Sequence, residues 1–311
     1  MTSQPLNFPD PASPLDIVPA TGRIGGEVRN VALSGDLDDA TLDAIRTALA
    51  RHKVLFFRDQ HQLDDAGQEA FAARFGDPVS HPTVPVRQGT QHILDLDSTD
   101  GRAASSWHTD VTFVDAYPAA SILRGVTIPE AGGDTQWANT AAAYDNLPAP
   151  LKTLADSLWA IHSNAYDYAA VKPESSAERI RYQREVFARI VHETEHPVVR
   201  IHPVTGERTL LLGHLVQRFV GLSQSDSLAL FQILQNHILQ PENVVRWRWR
   251  QGDVVIWDNR ATQHRATADF GTQRRTVRRV TIAGDVPVSI DGRRSRTIRP
   301  EPEAELLEAA E

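Results

Sequence analysis

The sequence predicts a mainly β protein with flanking helices, arranged as a double-stranded β-helix (jelly roll) with helices outside it. Many short apolar or alternating segments are separated by turns, and the chain holds 19 prolines and 18 glycines, which are typical turn residues. The segments show no regular βαβ rhythm, which argues against a parallel sheet. With 311 residues, 41% of them hydrophobic, one elaborated domain with a sizeable core is expected.

The chain divides into three parts by composition. Residues 1–14 contain four prolines and few apolar side chains, so they are predicted to form a loose N-terminal arm. Residues 15–290 form the single predicted domain, within which the polar, weakly periodic segment 164–185 suits a mobile lid. Residues 291–311 are first basic and then acidic, so we expect a C-terminal tail that lies on the surface or is disordered.

The first half of the domain alternates helices and short strands. Residues 37–51 predict a helix with one apolar face, and residues 53–57 predict a buried strand because the apolar run is too short for a helix. Residues 64–75 predict a second helix, which a glycine and a proline end. Two further strands are predicted at residues 119–126 and 134–137.

The middle of the chain predicts two more helices and a hairpin. Four apolar residues at helical spacing predict an amphipathic helix: Leu151, Leu154, Leu158 and Ile161. Residues 198–212 predict a hairpin that turns near Gly206. Residues 230–238 predict a helix, which a capping box of Ser223 and Asp226 begins.

The last third of the domain is strand-like. Residues 245–250 alternate apolar and arginine side chains, and residues 254–257 predict a second strand after a turn. The arginine stripe of residues 245–250 could suggest a nucleic-acid surface. We interpret it as a solvated strand face, because the net charge is −8 and no other basic cluster accompanies it.

A further strand at residues 274–282 carries arginines on both faces. Arg275 and Arg279 share one face, because side chains two and four positions apart on a strand point the same way. They predict a two-anchor site for an anion. Arg274 and Arg278 lie on the other face and are interpreted as solvated.

Composition excludes several classes of protein. The chain has no cysteine, so disulfides, thiolate metal sites, Fe–S clusters and cysteine nucleophiles are excluded. The first residues lack a basic region followed by an apolar run, which predicts no export signal and a cytoplasmic location. No apolar stretch reaches the roughly 18 residues of a membrane span, so neither a membrane nor a nucleic acid is an expected partner.

One group of residues predicts a metal centre. His108 and Asp110 are two residues apart, so on a strand both side chains point to one face, and His264 follows a later strand. Two histidines and one carboxylate form the facial triad of non-haem Fe(II) oxygenases, which leaves positions open for reactants. The arginines after His264 would hold an organic acid cosubstrate. A zinc hydrolase and a cupin-like binding module without turnover remain alternatives.

Four ordered motifs resemble the taurine dioxygenase family of Fe(II)/2-oxoglutarate oxygenases. The resemblance extends from about residue 18 to about residue 288, and these segments carry it: residues 106–113, 132–135, 257–260 and 264–279. Within the family, the likeness is closest to the bacterial branch that cleaves alkyl sulfates. Shorter motifs carry this closer match: residues 81–85, 139–144, 166–168 and 194–199.

The resemblance implies a cofactor set and the residues that hold it. Fe(II) would be bound by three side chains: His108, Asp110 and His264. Thr135 and Arg275 would hold the distal carboxylate of 2-oxoglutarate, with Arg279 nearby and shared with the acidic head of the substrate. O2 would be the second cosubstrate, and domain 15–290 would be the oxygenase domain. Relatives also imply a homodimer or homotetramer.

His81 and Val111 would line the substrate pocket. Taurine-cleaving members carry a tyrosine and an asparagine where this chain has Val84 and Ala104. Because an apolar side chain cannot satisfy a buried ammonium group, we expect a small anionic alkyl substrate, with His81 and Arg279 forming a cationic end. The implied reaction is oxidative cleavage of alkyl sulfate esters to an aldehyde and inorganic sulfate, with succinate and CO2 as coproducts. A sulfonate or aryloxyalkanoate substrate is the nearest alternative.

Overall fold

The computed structural model describes residues 7–98, 104–166, 181 and 183–300. The strands are β1 (Ile17–Pro19), β2 (Gly26–Val28), β3 (Val54–Phe57), β4 (Pro78–Val79), β5 (Leu94–Asp97), β6 (Ala120–Thr127), β7 (Thr135–Asn139), β8 (Trp159–Ser163), β9 (Glu193–Pro197), β10 (Val199–Ile201), β11 (Arg208–Leu210), β12 (Val216–Phe219), β13 (Val244–Trp247), β14 (Val254–Asp258), β15 (Thr262–Ala266), β16 (Thr276–Ile282) and β17 (Arg296–Arg299). The helices are α1 (Asp39–His52), α2 (Asp65–Phe75), α3 (Thr140–Asn146), α4 (Ala149–Ser157) and α5 (Gln224–Ile238). Residues 1–6 of the predicted arm, 167–180 and 182 of the predicted lid, and 301–311 of the predicted tail lie outside the described residues.

The strands form two facing layers, as predicted for a jelly roll. The larger sheet has the order β1-β2-β3-β14-β6-β16-β4, with β5 also paired to β16. Opposite it lies the three-stranded sheet β13-β7-β15, which is flanked by the sheet β12-β8-β9-β17 and the hairpin β10-β11. The described pairs are antiparallel except for β2 with β3. The mainly β prediction with flanking helices is therefore confirmed.

The core between the layers follows from the alternation of side chains along each strand. On β3, Phe56 points into a cluster between the sheets, which includes Trp137 of the smaller sheet and Trp257 of β14. The neighbouring Leu55 and Phe57 point the other way, against α1 and α2. Both faces of the central strands are thus buried, and the larger sheet is a rigid support for residues placed at its inner surface.

Helices cover the sheets on the outside, largely as the sequence predicts. α1 begins after Asp38, whose side chain caps the backbone N–H of Thr41, and α2 begins after Asp64 in the same way. α5 begins at the predicted capping box, because Ser223 accepts a hydrogen bond from the Asp226 backbone N–H. None of the helices in the described ranges has the length and apolar character needed to cross a bilayer.

One predicted helix is wrong in its second half. α4 ends at Ser157, and the chain is then extended as β8, so Leu158 and Ile161 are not helical. All five residues of β8 are buried between β9 and β12. The apolar spacing fits a helix by chance here, and pairing of the buried segment with two neighbouring strands overrides that local pattern.

Of two expectations near the C-terminal end, one needs correction. Residues 296–299 of the predicted tail lie at the surface, one of the two arrangements expected, because β17 pairs with β9 at the edge of a sheet. Arg278 is not solvated: its side chain is only 16% exposed and forms ion pairs with Asp65 and Asp95. Arg274, 63% exposed and paired with Asp97, fits the prediction better.

Candidate functional site

Three predicted ligands converge between the two facing layers: His108, Asp110 and His264. Their ligand atoms lie within 4.8 Å of one another, and all three side chains are buried. The Nε2 atoms of His108 and His264 lie 3.8 and 3.7 Å from the same oxygen, Oδ1 of Asp110. Residues 156 positions apart in the chain thus present two nitrogens and one oxygen to a common point.

Backbone contacts hold the two histidines together. His108 donates its backbone N–H to the His264 carbonyl at 3.0 Å, and His264 donates to the His108 carbonyl at 2.7 Å. This isolated antiparallel bridge extends the smaller sheet, in which β15 carries His264 beside β7. Val111 follows Asp110 at a φ of 58°, a left-handed conformation that is strained for a β-branched residue. The chain therefore turns sharply directly after the carboxylate.

Burial and neighbouring charge set the protonation of the three side chains. Burial lowers the pKa of His264 to about 4, although Asp110 opposes it, and lowers the pKa of His108 well below its usual value. Burial alone would raise the pKa of Asp110, but Arg279 is the main neighbour that holds this pKa below its usual range. Neutral imidazoles and an ionised carboxylate are the forms that bind a metal. The donor set fits Fe(II).

One buried arginine contacts this cluster, and a second contacts Thr135 on β7, the strand that pairs with β15. The Nη1 atom of Arg279 contacts Oδ1 of Asp110, while its Nε is buried without a hydrogen-bond partner among the described residues. Arg275 donates from Nε to the Gly133 carbonyl at 2.8 Å and from Nη2 to Thr135 Oγ1 at 3.2 Å. Both guanidinium groups retain donors that an anionic ligand could use.

Arg275 and Thr135 together form an incomplete anion site. Arg275 pairs with no carboxylate among the residues that the structure describes, and burial lowers its pKa to about 10 despite an opposing effect of Asp134. Thr135 Oγ1 already accepts hydrogen bonds from Arg275 and, at 2.9 Å, from Trp249 Nε1. Its own proton is therefore free to donate to a third group. A carboxylate would satisfy both side chains.

The predicted cationic role of His81 is not supported, because the surroundings of its ring favour the neutral form. Its Nδ1 accepts from the backbone N–H groups of Thr83 and Val84 at 3.2 and 3.0 Å, so the proton of the neutral ring lies on Nε2. Burial, together with a smaller effect of Arg279, lowers the pKa of His81 to about 3. Near neutral pH, His81 is a neutral hydrogen-bond donor, and the positive charge comes from Arg279.

Apolar and aromatic side chains pack next to His81. The rings of His81, Phe113 and Phe187 lie 5.8 to 6.0 Å from one another. Val111 and Leu215 belong to the same cluster. The arrangement suits a ligand with an anionic head and a hydrocarbon body.

Sequence reasoning missed Phe187 and the residue that positions it. Asn164 is fully buried and donates from Nδ2 to the carbonyls of Phe187 and Ile190 at 2.9 and 2.8 Å. Its Oδ1 accepts from the His192 backbone N–H at 2.8 Å. Both residues lie in or beside the polar segment interpreted as a lid, where no periodicity indicates which side chain turns inward. Phe187 lies in the short apolar run Val186-Phe187-Ala188, close to Ile190 and Val191, and nothing in that run distinguishes the inward side chain.

Comparison with known proteins shows which family the chain resembles over most of its length. Residues 16–281 match the family described as "Taurine catabolism dioxygenase TauD, TfdA family". The chain is 61% identical over 285 residues to an alpha-ketoglutarate-dependent sulfate ester dioxygenase of Pseudomonas putida, covering 92% of this chain and 95% of that protein. It is 54% identical over 302 residues to an alkylsulfatase of Acinetobacter baylyi, covering 97% and 95%.

A solved structure shows the same architecture. A putative alpha-ketoglutarate-dependent taurine dioxygenase from Burkholderia xenovorans superimposes with a TM-score of 0.79 at 37% identity, covering 93% of this chain and 99% of that one. The agreement spans almost the whole chain, so the two facing sheets and the outer helices belong to one shared fold.

Proposed function

The chain belongs to the taurine catabolism dioxygenase (TauD, TfdA) family, and we propose that it is an Fe(II)- and 2-oxoglutarate-dependent dioxygenase that cleaves alkyl sulfate esters. One observation carries this proposal: buried Arg275, which pairs with no described carboxylate, donates to Thr135 on the strand next to His264. Thr135 pairs with Ala266, two residues after His264 of the buried cluster. A metal hydrolase would need the cluster but not the arginine.

The residues present fit both the ion and the keto acid. His108, Asp110 and His264 would hold Fe(II) through two neutral imidazoles and one carboxylate. Arg275 and Thr135 would bind the distal carboxylate of 2-oxoglutarate, since each has a donor left unused. With O2, the bound ion and keto acid supply the oxidant, and the keto acid leaves as succinate and CO2.

The pocket residues would bind and orient the sulfate ester. Arg279 Nε and the Nε2–H of His81 can both donate to the sulfate oxygens. Val111, Phe113 and Phe187 would contact the alkyl chain and exclude water from it. This placement brings the carbon next to the ester oxygen towards Asp110 and the two histidines.

The overall reaction needs no nucleophile from the protein. Oxygen inserted at the carbon that bears the ester oxygen gives a hemiacetal-type sulfate, which collapses to an aldehyde and inorganic sulfate. One O2 and one 2-oxoglutarate are consumed, and one succinate and one CO2 form. The absence of cysteine from the chain is consistent with cleavage that avoids attack on sulfur.

The proposal is tested with purified protein, Fe(II), ascorbate, 2-oxoglutarate and a medium-chain alkyl sulfate. Sulfate and succinate should appear in equal amounts, and Asp110→Ala should abolish both. Sulfate release under strict anaerobiosis would show hydrolysis instead. A panel with taurine, alkyl sulfonates and aryloxyalkanoates separates the nearest alternatives, because only the true substrate class couples succinate formation to product. A cytoplasmic homodimer or homotetramer stays a prediction from the sequence.

A further inference from the structure

Three consecutive hydrogen bonds lead from β14 of the larger sheet to the aspartate of the metal cluster. Trp257 Nε1 donates to Asn259 Oδ1 at 2.8 Å, Asn259 Nδ2 donates to Ser121 Oγ at 2.9 Å, and Ser121 Oγ donates to Asp110 Oδ2 at 2.7 Å. All four side chains are buried, and Ser121 and Trp257 are fully inaccessible.

The indole of Trp257 determines which atom donates in each of the three hydrogen bonds. An indole N–H can only donate, so the atom of Asn259 that it meets must be the amide oxygen. The amide NH2 then faces Ser121 Oγ, which accepts and keeps its own proton for the next partner. That partner is the ionised Asp110, so each donor meets an acceptor.

The two oxygens of Asp110 consequently have different surroundings. Oδ2 receives the Ser121 hydroxyl. Oδ1 contacts Arg279 and faces both imidazole Nε2 atoms at 3.7 and 3.8 Å. A carboxylate held at one oxygen by a strong hydrogen bond presents the other oxygen in a defined direction.

The larger sheet gives this arrangement its rigidity. Ser121 lies on β6 directly opposite Trp257 on β14, in a register shared by five residue pairs. Asn259 follows β14 at once, and its backbone N–H is bonded to the Ala119 carbonyl at 2.9 Å. The hydroxyl that meets Asp110 is thus placed by central strands and not by a loop.

We propose that Ser121 and Asn259 are positioning residues, which occupy Oδ2 of Asp110 and so leave Oδ1 as the single oxygen directed at the metal. The inference rests on the iron site of the proposed function, but not on the identity of the organic substrate. A polar network that serves only folding would support the same hydrogen bonds, yet it would not alter how the protein binds a metal ion.

The first test measures metal affinity without turnover. Mn(II) is titrated into the intact protein, and the free ion is counted by electron paramagnetic resonance. Ser121→Ala should raise the Kd for Mn(II) about 10- to 100-fold, the usual effect of removing a partner of a metal ligand. The matched control is Ser227→Ala, which removes another buried serine hydroxyl, one that accepts from the Phe219 backbone N–H and not from a residue of the cluster. An unchanged Kd for Ser121→Ala would overturn the inference.

The second test reverses the hydrogen bond between residues 259 and 121 with a side chain of nearly the same shape. In Asn259→Asp, the side chain can still accept from Trp257 but can no longer donate to Ser121, so the serine hydroxyl turns towards the new carboxylate and away from Asp110. We expect the same loss of Mn(II) affinity, and wild-type affinity would overturn the assigned direction. If the buried charge prevents folding of Asn259→Asp, the Kd of Ser121→Ala for Mn(II) still tests the inference.

The third measurement reports how many protein atoms bind the metal ion. In the Co(II)-substituted protein, the visible ligand-field bands depend on how many atoms bind the ion. Ser121→Ala should shift these bands because Asp110 Oδ2 becomes free to bind, whereas Ser227→Ala should not. Identical spectra for all three proteins would contradict the inference. A protein that binds Mn(II) as described but does not cleave alkyl sulfates would refute the proposed function alone.

Discussion

Gly213 lies directly against the backbone of His108. A Cβ atom built at Gly213 would come within 3.1 Å of the His108 Cα and 3.2 Å of the Trp107 carbonyl oxygen. Gly213 also has a φ of +135°, which L side chains rarely adopt. The loop before β12 thus packs on the segment that carries His108 and Asp110, and only a glycine permits this approach.

Gly213→Ala should therefore displace the metal cluster as well as destabilise the protein. The backbone conformation alone should cost about 1–3 kcal/mol of unfolding free energy. Because the new methyl group also pushes on His108, we expect at least about a 10-fold rise in the Kd for Mn(II). Thermal unfolding and Mn(II) titration measure the two effects.

Gly221→Ala is the matched control for this substitution. Gly221 has a φ of +79°, but nothing lies within 4 Å of a Cβ built there. This variant should lose stability and keep its Mn(II) affinity. Equal Kd values for the two variants would show that the contact with His108 does not position the ligand.

Arg275→Ala should raise the requirement for 2-oxoglutarate. A charge-assisted hydrogen bond contributes about 1.5–3 kcal/mol, which corresponds to a rise of about 10- to 150-fold in the Kd. Arg274→Ala is the control, because Arg274 lies next in the chain, is 63% exposed and pairs with Asp97 on the opposite face. Binding of 2-oxoglutarate to the metal-loaded protein measures the effect. Similar Kd values for 2-oxoglutarate in the two variants would count against the assigned role of Arg275.

Much of the fold and of the candidate site was readable from the sequence, because the relevant patterns are local. Strict alternation at residues 245–250 marked the buried face of β13 correctly. The two-residue spacing of His108 and Asp110 placed both side chains together. Alternation in the predicted strand 274–282 separated the buried Arg275 from the exposed Arg274, although β16 itself begins only at Thr276.

What could not be read depends on three-dimensional packing. Ser121 is one serine in an apolar strand, and only the pairing of β6 with β14 brings it between Asn259 and Asp110. The neutral state of His81 follows from burial and from two backbone N–H groups that sequence does not reveal. Ile161 fits a helical pattern, but two neighbouring strands determine its conformation.

Phe187→Ala should weaken the binding of long alkyl sulfates more than short ones. Phe187 packs against Phe113 and His81 at ring distances of 5.8 Å, so its loss removes apolar contact with the distal part of a chain. We expect kcat/KM for long-chain substrates to fall about 10-fold, equivalent to about 1.4 kcal/mol. A series of alkyl sulfates of increasing length measures this dependence.

Ile190→Ala provides the comparison, since Ile190 lies in the same segment but is 50% exposed. It should leave the dependence on chain length unchanged. If Phe187→Ala lowered kcat/KM equally for all chain lengths, the side chain would order the segment that Asn164 holds and would not contact the substrate.

The protein should lose stability as the pH falls below about 6.5, in part through His196. Its Nε2 must donate to the Thr112 carbonyl at 2.8 Å, and its Nδ1 contacts Ser295 Oγ at 2.6 Å. Burial lowers the pKa of His196 to about 3, although hydrogen bonding opposes this, and nearby Arg200 lowers it further. Because an unfolded histidine has a pKa of about 6.5, the unfolded state binds more protons between these values, and acid favours unfolding.

His196→Gln should therefore reduce the pH dependence of the unfolding free energy. One neutral buried histidine costs about 1.4 kcal/mol for each pH unit below its unfolded pKa, or about 2 kcal/mol at pH 5. Urea unfolding at pH 7 and pH 5 measures the difference, with His61→Gln as control because the His61 side chain is 64% exposed. The buried His162, whose ring lies 4.9 Å from that of His196 and whose pKa burial also lowers, should retain part of the acid sensitivity. If the unfolding free energy of His196→Gln depended on pH as strongly as that of the wild type, other groups would take up the protons that destabilise the folded state.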